Sequence, residues 1–252
     1  MGLLDNLGSK LRVIINIEGL DGTGKATISK RLKEILEDKK LNVFTLHFPQ
    51  YETQTGGVVR KFLTGDLVGD PTDIDPILSS LLYTTDRLIY FKNNPQIFTD
   101  YDVLIFDRSY MSNFFFQTVK YSKDGNFDLE KVVKFIKTMF DLEIKNSPLK
   151  NFLPVIRTFQ LYHPIIETNF KLMEKRGEKM DMHESNKSYL FDIQKNTFRI
   201  FANRDELLGK LTEEEFKAYD FLPIKCSSSH SLRAIDDIAN NIIEEIDGDF
   251  WI

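Results

Sequence analysis

A glycine-rich segment, Gly19-Leu20-Asp21-Gly22-Thr23-Gly24-Lys25-Ala26-Thr27, separates two stretches of different periodicity. Before it runs Val13-Ile14-Ile15-Asn16-Ile17, a near-continuous apolar stretch of the kind that forms a strand buried on both faces. After it, Ile28, Leu32, Ile35 and Leu36 fall on one face of a helix. Strand, G-x-x-x-x-G-K, helix is the context of a phosphate-binding loop. Glycines let the backbone curl its N–H groups around an anion, the helix N-terminus adds partial positive charge, and Lys25 can reach the outer phosphates of a nucleotide. The motif normally ends in Lys-Ser or Lys-Thr, whose hydroxyl binds Mg²⁺. Ala26 stands there instead, and Thr27, one residue on, should point roughly 100° away around the helix. Any metal is then held through water and other carboxylates, or more weakly.

The rest of the chain agrees with an α/β fold. Val43-Phe44-Thr45-Leu46 and Val103-Leu104-Ile105-Phe106 read as two further buried strands. Weaker strand patterns lie at Val155 to Tyr162, interrupted by Arg157 and Gln160, and at Phe221 to Cys226, where Pro223 suits only an edge strand or a strand end. Helical stripes run through Leu129, Val132, Val133, Ile136, Met139 and Phe140, and through Leu232, Ile235, Ile238, Ala239, Ile242, Ile243 and Ile246 to a stop near Gly248. Strands alternating with helices predict a parallel sheet covered on both faces. The acidic stretch Asp205 to Asp220 reads as a solvated surface helix or excursion. With 252 residues and no linker or repeat, one domain spanning 1–252 is expected.

Composition narrows the function classes. A hydrophobic share of 42% with 28% charged residues excludes a disordered chain. No apolar run approaches ~18 residues, so no membrane helix is expected. Met1-Gly2-Leu3-Leu4-Asp5 lacks the basic and apolar regions of a secretory signal. A single cysteine, Cys226, suits a reducing, cytoplasmic compartment. The net charge of −5 argues against nucleic acid as a partner, so phosphate binding must be local.

Further segments specify the reaction. Phe48-Pro49-Gln50-Tyr51 follows the second strand, and Gly57 to Gly65 contains Arg60. Leu82-Tyr83-Thr84-Thr85-Asp86-Arg87 lies on a predicted helix, and Asp107-Arg108-Ser109-Tyr110-Met111-Ser112-Asn113 follows the third strand, with Phe116-Gln117 beyond it. Glu174-Lys175-Arg176-Gly177-Glu178-Lys179 runs into Asp181-Met182-His183-Glu184. In their order and spacing these segments resemble the motifs of the thymidylate kinases over about residues 12–245. The resemblance implies the P-loop nucleoside monophosphate kinase fold, a five-stranded parallel sheet of order 2-3-1-4-5 with helices on both faces and a short helical lid at about 174–187. It implies transfer of the ATP γ-phosphoryl to the 5′-phosphate of dTMP, with Mg²⁺ as cofactor and a homodimer as the assembly.

Roles follow residue by residue from the resemblance. The ATP phosphates are expected at Gly19, Asp21, Gly22, Thr23, Gly24, Lys25, Ala26 and Thr27. Catalysis is expected from Lys25, Asp107, Arg108 and Arg176, with Asp107 contacting the metal through water. The acceptor is expected at Asp21, Phe48, Tyr51, Arg60, Tyr83, Arg87, Arg108, Ser112, Phe116 and Gln117. Within that set Tyr83 would stack on the base, Arg87 would read it, and Phe116 would crowd the sugar 2′ position. Because Gly22 stands where some members carry an arginine, the lid must supply the catalytic cation. Arg176 is the candidate, with Lys175 and Lys179 beside it. Asp181 and Glu184 are expected to organise the lid, and His183 to lie on its surface. Two alternatives remain open: a deoxynucleoside kinase, since Asp107-Arg108-Ser109 is also similar to the acid-Arg-Ser of that group, and a nucleotide-binding protein with little catalysis, which Ala26 would favour.

Overall fold

The computed structural model describes residues 11–122, 127–177, 180–228 and 231–250. Five strands, β1 (Val13–Gly19), β2 (Val43–His47), β3 (Val103–Asp107), β4 (Ile156–Tyr162) and β5 (Leu222–Lys225), form one sheet. Its order is β2-β3-β1-β4-β5, and every neighbouring pair is parallel. β1 is central because its side chains are apolar on both faces; β5, which carries Pro223 and so lacks one ladder donor, is at the edge.

Alternate residues of the apolar runs serve two cores. Val13, Ile15, Ile17, Val103 and Ile105 face the helices α1 (Lys25–Asp38) and, at the chain's far end, Ile235–Phe250. Ile14, Leu104 and Phe106 face a larger core on the other side. The helices between are α2 (Gln54–Leu63), α3 (Pro76–Asn93), α4 (Ile97–Asp100), α5 (Met111–Gln117) and α6 (Leu129–Met139), which continues into a π-helical turn at Phe140–Ile144. Then follow α7 (Ile166–Arg176), α8 (Met182–Ser185), α9 (Lys187–Ala202), α10 (Arg204–Leu208) and α11 (Glu213–Tyr219), with Ile235–Phe250 as α12.

Two expectations need correction. The stretch 205–220 is helical, but it is not simply a solvated surface segment. Thr212 and Glu215 form a reciprocal capping box that starts α11, and Leu207, Leu208, Ala218 and Tyr219 are buried in the larger core. Tyr110 also donates its hydroxyl to the Ala218 carbonyl across 2.5 Å. At the far end, α12 begins only at Ile235, leaving Leu232 exposed ahead of it.

The parallel arrangement decides where a site can form. Ile17 pairs with Asp107, and Asp107 with His47, so the carboxyl ends of the three strands share one rim. Loops leaving that rim open a crevice where the chain crosses from one side of β1 to the other.

Candidate active site

The loop between β1 and α1 is shaped by glycine. Gly22 has φ +80°, and a Cβ there would lie 2.5 Å from the Asn169 backbone oxygen. Only glycine tolerates both the conformation and that approach. Asn169, on α7, also donates its side-chain amide to the Asp21 carbonyl at 2.8 Å, fastening loop to helix. The Lys25 ammonium is buried and donates to the carbonyls of Gly19 and Leu20, each at 3.1 Å, with Asp21 3.6 Å away. Burial, then the nearby Arg108, lowers its pKa from the usual lysine value.

Gly19 and Thr23, both in the expected phosphate set, lie behind the crevice wall. The Thr23 hydroxyl and N–H both turn to the Leu20 carbonyl, at 2.8 and 3.2 Å, and neither Thr23 nor Gly19 lines the crevice. They shape the loop, because its tight curl consumes their polar groups internally. Asp21, Gly22, Gly24, Lys25, Ala26 and Thr27 do line it.

Opposite the loop, Asp107 ends β3 and Arg108 follows in the left-handed region at φ +69°. That backbone aims the Arg108 guanidinium back at Asp21, 2.5 Å away, and over the Phe116 ring, whose centroid is 5.1 Å off. Burial alone would raise the Asp21 pKa, but Arg108 and Lys25 hold it well below the usual carboxylate range. The turn is anchored from beneath by Glu18, fully buried at the end of β1. Its carboxylate accepts from the Ser109 N–H at 2.6 Å, the Ser109 hydroxyl at 2.8 Å and the Ser112 hydroxyl at 2.5 Å. Burial raises the Glu18 pKa. Ser112 lines the crevice, and its hydroxyl donates to Glu18 because a buried carboxylate demands donors.

The remaining acceptor candidates form one wall. Phe48 is buried edge-on against Tyr90, Phe91 and Phe106. Asp86 fixes the turn after it, accepting from the Gln50 N–H at 2.8 Å and the Thr55 hydroxyl at 2.7 Å. Tyr51 lies under the Arg60 guanidinium, and burial pushes its phenol up to about 12. Arg60 reaches the crevice rim but is ion-paired with Glu52 at 2.7 Å. Tyr83 packs edge-on against Phe62. Gln117 is buried, and its Oε1 has no hydrogen-bond partner. Arg87 has a partner that its motif does not announce. It lines the crevice, yet its Nε and Nη2 are both engaged by buried Glu143.

The lid approaches from the far side. α7 ends at Arg176 and Gly177, and Arg176 pairs with Glu184 at 2.7 Å while lining the crevice. Asp181 and Glu184 cap α8 reciprocally, at 2.8 and 3.2 Å. Burial pushes the Asp181 carboxyl up to about 6. Lys179 lies outside the described residues. His183 is not a surface residue: it is 7% exposed, with its ring against Phe62 and Tyr189. Docking of α8 on α2 and α9 removes it from water, and burial, then Lys120, brings its pKa down to about 4.

Together these groups enclose a crevice of about 1050 Å³, on the large side for a single small molecule. Five cations line it; Arg60 and Arg87 pair with Glu52 and Glu143, and the other three, Lys25, Arg108 and Arg176, are suited to holding and stabilising transferring phosphate. Among the described residues no cluster of three or more His, Cys, Asp or Glu side chains could hold a metal. Asp107 contributes one carboxylate to the wall, and Ala26 no oxygen. This donor set fits Mg²⁺ carried on phosphates and water rather than in a protein cage.

Sequence reasoning missed Glu18, Asp86, Asn169 and Glu143. Glu18 had a signal, a charge at the end of an apolar strand. Glu143 had one too, falling seven residues after Ile136, where the apolar stripe would continue past α6.

Comparison with known proteins gives one consistent family. The thymidylate kinase family model matches residues 17–144. A probable thymidylate kinase of Saccharolobus solfataricus is 37% identical over 111 residues, 42% of this chain and 51% of that relative, so this match spans about half the relative's length. The thymidylate kinase of Mycoplasma mobile is 27% identical over 225 residues, covering 82% of this chain and 98% of the relative. Among solved structures, thymidylate kinase from Candida albicans superposes with a TM-score of 0.57 at 15% identity, covering 94% of this chain and 91% of that one. That from Ehrlichia chaffeensis gives 0.54 at 18% identity, covering 93% and 98%. At such identities the two structures establish the shared fold.

Proposed function

Because the chain belongs to the thymidylate kinase family, whose members are phosphotransferases with ATP as donor, we propose that its crevice carries the γ-phosphoryl of ATP to the 5′-phosphate of dTMP, giving dTDP. The observation that supports this most is the convergence of Lys25, Arg108 and Arg176 on one crevice between the phosphate loop and the Tyr51–Tyr83–Arg87 wall.

In this reading ATP lays its phosphates over Gly22, the Gly24–Thr27 backbone and the N-terminus of α1. Lys25 moves from the Gly19 and Leu20 carbonyls to the outer phosphates. The acceptor base lies between Tyr83 and Arg87, and its phosphate displaces Asp21 from Arg108. Arg176 leaves Glu184 to meet charge developing on the transferring group. Mg²⁺, held by Asp107 through water, would neutralise phosphate charge. Most of the catalytic effect is then positioning and electrostatic stabilisation in a water-poor site.

The chain acts as one domain with the lid at about 174–187. A homodimer is supported by the exposed apolar stripe Leu78, Leu81 and Ile89 on α3, and a cytoplasmic setting by the buried, unpaired Cys226. No helix among the described residues is long and apolar enough to cross a membrane.

Lys25→Ala tests the reading. It should cut kcat on dTMP by about 10²-fold or more while leaving the circular dichroism spectrum unchanged. Near-wild-type turnover in a folded variant would contradict it.

A further inference from the structure

We propose that Glu143 is a positioning residue for base selection: it clamps the Arg87 guanidinium so that a fixed cationic donor meets the acceptor base, favouring a pyrimidine with a 4-carbonyl over one with a 4-amino group. The inference rests on the reading of Arg87 as the group that meets the base.

Glu143 and Arg87 are 1% and 2% exposed, on different elements far apart in sequence. Arg87 Nε donates to Glu143 Oε1, and Nη2 donates to Oε2 at 3.0 Å. The carboxylate therefore holds one whole edge of the guanidinium, leaving Nη1 as the nitrogen outside the clamp. Arg87 lines the crevice, and Glu143 stands behind it. The clamp is itself oriented. Thr84, one turn before Arg87 on α3, donates its hydroxyl to Glu143 Oε2 at 2.6 Å. Asn113 on α5 donates to Thr84 Oγ1 at 3.3 Å and to the Ser80 carbonyl at 3.4 Å.

The backbone under Glu143 is also particular. α6 ends in the π-helical turn Phe140–Ile144, closed by Lys145 N–H donating to the Phe140 carbonyl at 3.1 Å. The wider turn changes the direction in which a side chain leaves the helix, and such turns occur disproportionately at functional sites.

The consequence for selection is electrostatic. Burial would lower the Arg87 pKa, but Glu143 keeps it above the usual arginine value, so the group stays a cation with donors only. A donor-only group pinned in a buried pocket gains from a carbonyl and meets an amino group with donor against donor. With the clamp removed, the guanidinium can turn, and the penalty against the amino base is relieved.

The test measures kcat and KM for dTMP and dCMP on the wild type and on Glu143→Gln, Glu143→Asp and Thr84→Val. Glu143→Gln should raise the dTMP KM about tenfold with a smaller fall in kcat, and cut the dTMP-over-dCMP preference in kcat/KM about tenfold. Glu143→Asp should restore part of that preference. Thr84→Val, which removes no charge, should lower it about threefold and serves if the Glu143 variants do not fold. A preference kept within about twofold of wild type in Thr84→Val and in any folded Glu143 variant, whatever happens to Tm, would make the pair structural and overturn the proposal. Wild type inactive on dTMP would overturn the proposed function itself. Unchanged preference in Arg87→Ala would remove the base-reading role on which Glu143 depends.

Discussion

At Ala26 the phosphate loop offers a methyl group where its relatives in motif offer a hydroxyl. Ala26, Thr27 and Asp107 all line the crevice. Mg²⁺ keeps waters readily, so one can fill the missing position. Ala26→Ser should therefore lower the Mg²⁺ concentration for half-maximal rate, by an amount equivalent to about 1 kcal/mol, the scale of one exchanged polar contact. A Mg²⁺ titration of the two proteins, read by ADP release, checks this; coincident curves would show that this position does not address the metal. At this scale the sequence speaks through residue type. Glycines, Lys25 and the Asp107-Arg108 pair can be placed because their chemistry needs a local context that the chain itself displays. What it does not display is commitment to partners distant in sequence. Ser112 and Arg87, both expected to face the acceptor, each meet a distant carboxylate: Glu18 and Glu143.

Among the elements, the lid carries two predictions. Arg176 pairs with Glu184 across 2.7 Å, a partner that transferring phosphate would replace in the proposed reaction. Arg176→Ala should lower kcat by about 10²-fold or more while changing the dTMP KM by less than about fivefold, because the guanidinium acts mainly as charge redistributes. Steady-state kinetics on both parameters decides; a raised KM with kcat intact would make Arg176 a ground-state binder. The second prediction concerns His183, whose pKa falls from 6.5 to about 4 chiefly through burial. A depressed folded pKa contributes stability that is present above 6.5 and lost as pH falls towards about 4. Asp181, raised to about 6, works in the opposite sense, its contribution lost as pH rises through that value. Since His183→Gln keeps Asp181, comparing the variant with wild type isolates the imidazole. Between pH 7.5 and 4.5 the wild type should lose up to about 3 kcal/mol more denaturant stability than the variant. Equal losses would mean that the imidazole does not titrate on unfolding in that window. His183 was misread as a surface residue because the run around it is charged. Its burial comes from Phe62 and Tyr189, which only the docking of α8 brings near. Residues 205–220 misled in the same way: the Thr212-to-Glu215 capping box marks a helix start, but the burial of Ala218 and Tyr219 depends on the core they join.

For the whole molecule, the strand order was open to sequence reasoning only through the resemblance of the motifs. Apolar runs identify the strands, and Pro223 places β5 at an edge, but no local pattern says that β3 lies between β2 and β1. That order results from pairing between distant segments, aligned so that Ile17, His47 and Asp107 come level at the rim. The crevice follows from this level rim, and the central claim is that the crevice joins ATP to a nucleoside monophosphate. The most direct measurement is ³¹P NMR of the products formed from ATP and Mg²⁺ with dTMP, and in parallel with thymidine. Transfer to the acceptor phosphate predicts ADP and dTDP appearing in equal amounts from dTMP, with no product from thymidine beyond background hydrolysis. Formation of dTMP from thymidine, or ADP and inorganic phosphate without dTDP, would contradict the account.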